Sequence, residues 1–234
     1  MLLKLILYFY KSSIDYFIGL ILPMLNDKNK FDLIYKTGYW GGVTKDIPKS
    51  GFGSSLQATE NIRRELPILI KKYEISTLLD IPCGDFFWLS HLNLPLDKYI
   101  GADLVEKLID DNIKMYARHN FEFQKIDLLQ DPLPKCDLVM VRDCLVHLTN
   151  EQVHKALHNI VQSGSKYLAT SHFEDCKENI ASRRPDRWRP LDMTKEPFKL
   201  PRPITSVIDS CPGIPYEADK RLALWKISDL SDFL

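Results

Sequence analysis

The stretch Leu78-Leu79-Asp80-Ile81-Pro82-Cys83-Gly84-Asp85-Phe86-Phe87-Trp88 constrains this chain more than any other. An apolar run of strand formers over residues 76–81 ends at Pro82, which cannot donate to a sheet ladder. Gly84 accepts backbone angles closed to other residues and lets a ligand approach the main chain closely. A helix-like pattern begins just after Gly84, and Asp85 is placed to cap it or to stand beside its free N–H donors. This is the anatomy of a nucleotide pocket at the carboxyl end of a first parallel strand. With one glycine there is no lined cradle for a pyrophosphate, which disfavours a dinucleotide turn of the G-x-G-x-x-G form. The plainer alternative is a buried strand-to-helix turn with no ligand. Asp80 and Asp85, one on each side of the bend, favour a cationic or hydroxyl-bearing ligand instead.

Beyond this motif, strand and helix patterns alternate. Residues 98–102 read as a strand ending at Asp103, residues 105–116 as a helix, and residues 121–126 as a strand ending at Asp127-Leu128. Residues 136–142 are apolar enough for a strand buried on both faces, and Asn150 is placed to cap a helix over 151–162. Residues 166–172, 204–208 and 222–227 supply the remaining strands. The pattern predicts an α/β protein with a seven-stranded mixed sheet and helices on both faces. Residues 1–55 form a helical and loop extension, and residues 56–234 the ligand-binding domain.

Asp103 stands 23 positions beyond Asp80, and a carboxylate at about that distance can accept hydrogen bonds from both hydroxyls of a ribose. A surface aspartate capping the next helix is the alternative. Substrate belongs beyond the carboxyl end of the fourth strand, where Arg142-Asp143-Cys144-Leu145-Val146-His147-Leu148 begins. Asp143 and His147 are four positions apart and would share a face of a short helix, so His147 can serve as a base that Asp143 orients. His172, with Asp175 behind it, is the alternative base, and a satisfied core histidine is the plain reading of His147. His154 and His158 have helical spacing but no glutamate between them, so no metal is expected. Arg187, Trp188 and Arg189 close an arginine-rich stretch that could bind a phosphate or a sugar face, or could be a solvated loop.

Lys+Arg 31 against Asp+Glu 31 leaves no net charge, so no global field gathers nucleic acid. Five cysteines without a C-x-x-C pair favour reduced thiols in a cytoplasmic setting. Residues 1–25 are apolar but broken by Lys4, Lys11 and Asp15, which argues against a membrane-spanning helix. An amphipathic helix docked on the domain or on a second subunit, as in a homodimer, fits these residues. So does a helix in a membrane interface, giving peripheral membrane association. Residues 31–55 read as a glycine-rich loop anchored by Tyr39 and Trp40, either a linker or a lid. Helical spacing runs from residue 56 to 73, with Ser54 or Ser55 as its cap.

The form Asp80-x-Pro82-Cys83-Gly84-Asp85-x-x-Trp88 resembles the class I S-adenosylmethionine-dependent methyltransferases, whose first motif is an acidic residue followed by a glycine turn. Within them it is similar to a subset that includes glycan-modifying enzymes of bacteria and large viruses. Asp85 stands where many members carry a second glycine. Trp40-Gly41, Ser50-Gly51-x-Gly53-Ser54 and Asp219-Lys220-x-Leu222-x-Leu224-Trp225 resemble further segments of that subset, over about residues 31–227 in all. The resemblance implies a Rossmann-like methyltransferase fold, S-adenosylmethionine as cofactor, and O-methylation of a sugar hydroxyl. It assigns cofactor contacts to Trp40, Ser54, Asp80, Pro82, Cys83, Gly84, Asp85, Trp88, Asp103, Leu104, Asp127, Leu128 and Arg142, with Asp127 facing adenine. Another small-molecule or lipid acceptor, an NAD-dependent nucleotide-sugar oxidoreductase and a non-catalytic subunit are the competing readings.

Overall fold

The computed structural model describes residues 16–42, 47–180, 188–211, 214 and 217–231. One seven-stranded sheet contains β1 (Thr77–Asp80), β2 (Lys98–Asp103), β3 (Phe121–Lys125), β4 (Leu138–Val141), β5 (Tyr167–Phe173), β6 (Thr205–Ile208) and β7 (Lys220–Lys226). Its order is β3-β2-β1-β4-β5-β7-β6, that of the Rossmann-like methyltransferase fold. β7 alone runs against its neighbours, so the sheet is mixed, as the sequence predicts.

Beyond residue 25 the described α-helices are α1 (Asp27–Thr37), α2 (Glu60–Lys72), α3 (Glu106–Tyr116) and α4 (Asn150–Gln162). Alternate strand residues point to opposite faces. Leu78, Leu138 and Met140 therefore pack with Ile62, Leu66 and Ile70 of α2 and Ile109 of α3. Leu79, Val139 and Val141 pack with Val153, Leu157 and Ile160 of α4. Every residue of β4 is buried, which accounts for its unbroken apolar composition. Each fully buried Leu or Ile contributes about 1.5–3 kcal/mol, so these two layers fix the sheet and hence the position of its carboxyl edge.

Local structure departs from the sequence reading in four places. No α-helix follows Gly84: turns lead to a single 3-10 turn, Leu89–His91. Phe86, at φ 54°, breaks the helical path and turns its ring into a cluster with Tyr99, Tyr116, Phe121 and Phe123. Residues 31–37 are helix rather than loop, because Asn26 caps α1 through its side chain and Gly38 ends it in the left-handed region. α2 starts at Glu60; Ser55 instead accepts the Ala58 N–H within a preceding turn. Thr149, not Asn150, caps α4, through a reciprocal capping box with Gln152.

Residues 1–15 lie outside the described part, so only the end of the apolar N-terminal stretch can be placed. Residues 16–21 are helical, and Ile18 and Leu22 pack on Ile34 beside Tyr39 and Trp40. Tyr16, Phe17, Leu20, Ile21 and Met24 face outward. Among the described residues no helix is long and apolar enough to cross a membrane.

Candidate active site

The chain leaves β1 for β2 on one side and later returns to place β4 on the other, which makes a switch point at the β1 carboxyl end. A cavity of about 680 Å³ opens there, a volume typical of small-molecule sites. Asp80, Pro82, Cys83, Gly84 and Trp88 form its floor. Gly84 has φ 56°, and a Cβ on it would come within 2.3 Å of Ser50 Oγ, so the position demands glycine on two counts.

Asp103 secures the turn as well as facing the cavity. Its carboxylate accepts the Gly84 N–H at 3.1 Å and the Val105 N–H at 2.9 Å. From the opposite side Asn112 donates to the Gly84 carbonyl at 2.8 Å. Burial pushes the Asp103 carboxyl up to about 6 despite those backbone donors. Burial likewise pushes Asp80 up to about 7, against the pull of a 2.8 Å hydrogen bond from the Tyr99 hydroxyl and of Arg142. Two acids whose ionisation is this costly would be relieved by a bound cation or by hydroxyl donors.

Leu104, Ile126, Asp127, Leu128 and Leu129 make an apolar slot with one acid at its rim. Asp127 accepts from Leu129 N at 2.8 Å and Gln130 Nε2 at 2.9 Å. Over the cavity lie Tyr35 of α1, Trp40 and residues 50–54. Trp40 is braced by Phe31 and Tyr35, and its ring lies 5.2 Å from that of His147 at 31°.

The fourth wall follows β4. Arg142 grips Asp209 with two hydrogen bonds of 2.9 Å and donates to the Gly53 carbonyl at 3.1 Å. Asp143, at φ 53°, accepts from Lys220 Nζ at 2.6 Å and Ser171 Oγ at 3.1 Å. Burial raises the Asp143 carboxyl, but Lys220 and Arg142 outweigh it and hold the group well below the usual carboxylate range. Asp143 and His147 are not on one helix, because the left-handed Asp143 precedes a 3-10 turn, Leu145–His147. Both nevertheless line the cavity, as do Cys144 and Glu217, whose carboxyl burial pushes up.

Of the residues singled out in the sequence, Trp40, Ser54, Asp80, Pro82, Cys83, Gly84, Trp88, Asp103, Leu104, Asp127, Leu128, Arg142, Asp143, His147 and Trp188 meet in this one cavity. Asp85 does not line it and caps no helix; its carboxylate turns away to residues 49 and 50. His172 also lies outside: it is buried at 4% exposure, accepts the Met193 N–H and meets Trp225 edge-on. Its neighbour Ser171 bonds the cavity-lining Asp143, so the alternation of strand side chains turns His172 to the other face. Arg189 is buried and donates to the Leu148 carbonyl and Asn150 Oδ1, so it pins a loop instead of presenting its charge. Arg187 lies outside the described residues. His154 and His158 flank a shallow surface hollow, and no metal-binding cluster is found among the described residues.

Sequence reasoning missed Tyr35, Ser50, Asp209, Glu217 and Lys220. Tyr35 belongs to a helix where the sequence reads as loop, and Ser50 falls in the expected linker or lid without a role of its own. Lys220 had one signal, its place in the Asp219-Lys220-x-Leu222-x-Leu224-Trp225 segment; Asp209 had none.

No family model matches the chain, and no curated protein matches it. Among solved structures it is similar to the N-methyltransferase NodS from Bradyrhizobium japonicum WM9, with 17% identity, 72% of this chain and 98% of that one covered, and a TM-score of 0.49. Human N-acetylserotonin methyltransferase in complex with SAM shares 17% identity over 55% of this chain and 40% of its own, at a TM-score of 0.45. The methyltransferase domain of bacterial CtHen1-C shares 13% identity over 49% of this chain, at a TM-score of 0.44, and the match spans 66% of its length. With all three scores below 0.5, the fold assignment stands on strand order.

Proposed function

We propose that this chain is an S-adenosylmethionine-dependent methyltransferase acting on a sugar hydroxyl, with His147 as general base. The observation that carries the reading is that Asp80, Gly84 and Asp103 line a single cavity at the sheet's switch point. The residues fit the cofactor: two buried acids await hydroxyl donors or a cation, and the slot of Ile126, Leu128 and Leu129 suits a flat apolar ring. Asp80, the Gly84 turn, Asp103 and Asp127 would hold it. When bound, the cofactor supplies a methyl group already activated on a sulfonium.

What remains for the protein is alignment and proton removal. An alcohol is a poor nucleophile until its proton leaves, and a histidine is suited to accept that proton near neutral pH. His147 lies on the cavity wall beyond β4, held against the Trp40 ring. Five carboxylates against Lys28 and Arg142 line the cavity, an imbalance that supports a neutral acceptor over a phosphorylated one. Trp188 and Phe52 offer aromatic surface for a sugar face.

Calorimetry with S-adenosylhomocysteine and with NAD tests the reading. Binding of the first alone is expected; binding of NAD alone would give the oxidoreductase, and binding of neither the non-catalytic subunit. Mass spectrometry of glycans from cells with and without the protein tests the acceptor. A second reading, a lipid-borne acceptor met at a membrane surface, draws support from the outward-facing Tyr16, Phe17, Leu20, Ile21 and Met24. Loss of vesicle co-sedimentation in Phe17→Ser/Leu20→Ser would favour it.

A further inference from the structure

Asp85 occupies the position at which many chains with this motif carry a second glycine, and its side chain is spent on the covering loop. Its carboxylate accepts the Lys49 N–H at 2.6 Å, the Ser50 N–H at 3.4 Å and the Ser50 hydroxyl at 3.0 Å. In return the Asp85 N–H donates to Ser50 Oγ at 2.9 Å, and Tyr35 donates to the same oxygen at 3.4 Å. Ser50 thus rests directly on the Gly84 turn, in the space that a Cβ would fill. Residues 50–54, which follow, all line the cavity, and Arg142 ties their far end through the Gly53 carbonyl.

We propose that Asp85 is a positioning residue: it latches residues 49–54 onto the glycine turn and so closes the cavity over its ligand. The assignment of that ligand rests on the cofactor reading above; the latch itself does not. Opening the loop gives up three hydrogen bonds to one carboxylate, and bonds to a charged acceptor are stronger than neutral ones. Such a set biases the loop toward the closed state by about tenfold or more. The same contacts explain why a carboxylate is useful here: one side chain can accept all three at once.

Limited trypsin digestion of the full-length chain, with the Lys49–Ser50 bond followed by mass spectrometry, reads the opening directly. Asp85→Ala should speed cleavage of that bond about tenfold while circular dichroism and the melting temperature show an intact fold. Ser50→Ala should give a smaller increase, and the double substitution should exceed Asp85→Ala by less than the Ser50→Ala effect alone, because the Ser50 hydroxyl bond to the Asp85 carboxylate is counted in both single variants while the Asp85 N–H bond to Ser50 Oγ is lost only with Ser50. Cleavage at the wild-type rate in folded Asp85→Ala overturns the latch; if that variant does not fold, the wild-type rate in Ser50→Ala does so. S-adenosylhomocysteine should slow cleavage in the wild type. Acceleration by Asp85→Ala together with no protection by S-adenosylhomocysteine would sustain the latch and overturn the cofactor reading.

Discussion

Replacing Asp80 by Asn isolates the cost of holding an acid in the cavity floor. Asp80 is 3% exposed and titrates near 7 instead of 3.8, chiefly through desolvation. Between those two pH values the folded chain keeps a proton that the unfolded chain has released. Folding therefore binds protons across this window, and stability falls as pH rises through it. At about 1.4 kcal/mol per pH unit, the loss is about 4 kcal/mol by pH 8, on the order of 10 °C in melting temperature for a chain of this size. Asparagine keeps an oxygen to accept the Tyr99 hydroxyl, now found 2.8 Å from the carboxylate, and removes the charge. Thermal or urea unfolding of ligand-free protein from pH 4 to 8 should show Asp80→Asn gaining on the wild type by about 4 kcal/mol. The Asp103 carboxylate, which burial pushes up to about 6, helps to raise Asp80, so part of the difference between the two chains reports the repulsion between these two acids. Two parallel stability curves would refute the argument. The same substitution should weaken cofactor binding, a direct exchange of function for stability.

His147→Ala should abolish turnover while leaving the S-adenosylhomocysteine Kd within about threefold, by calorimetry, since a base contributes to reaction more than to cofactor binding. Asp103→Ala should weaken cofactor binding by about 1–3 kcal/mol in the same assay, as expected for a lost buried hydrogen-bond acceptor. Lys220→Met leaves the buried Asp209 and the cavity-lining Asp143 to share Arg142 without a second cation, and should cost about 1–3 kcal/mol in urea unfolding. Trp188→Ala should raise the acceptor KM with little change in cofactor affinity, read from steady-state kinetics.

Most of the cavity floor was legible because its signals are local. Pro82 and Gly84 mark a strand end and a turn whatever else the chain does, Asp103 ends a strand whose apolar pattern is plain, and Asp127 stands just past the next one. What could not be read depends on distance. Asp85 looked like a helix cap because capping is the common duty of an aspartate after a glycine; tertiary contact with residues 36 positions earlier decides otherwise. His172 stands one residue short of the end of β5, and the alternation of faces gives the cavity side to Ser171 and turns the His172 ring to Trp225. α1 was hidden by glycines that end a helix rather than forbid one.

The reversal of β7 has a consequence for the order in which the protein becomes competent. Because that strand runs backwards, its first residue, Lys220, reaches the edge where the other strands finish. The first three strands and their acids are complete by residue 128, whereas Arg142 and Asp143 wait for Asp209 and Lys220 to balance them. A chain emerging from the ribosome can therefore assemble the nucleoside-sized half of the cleft early. The wall beside His147 acquires its counter-charges only once Asp209 and Lys220 are free as well.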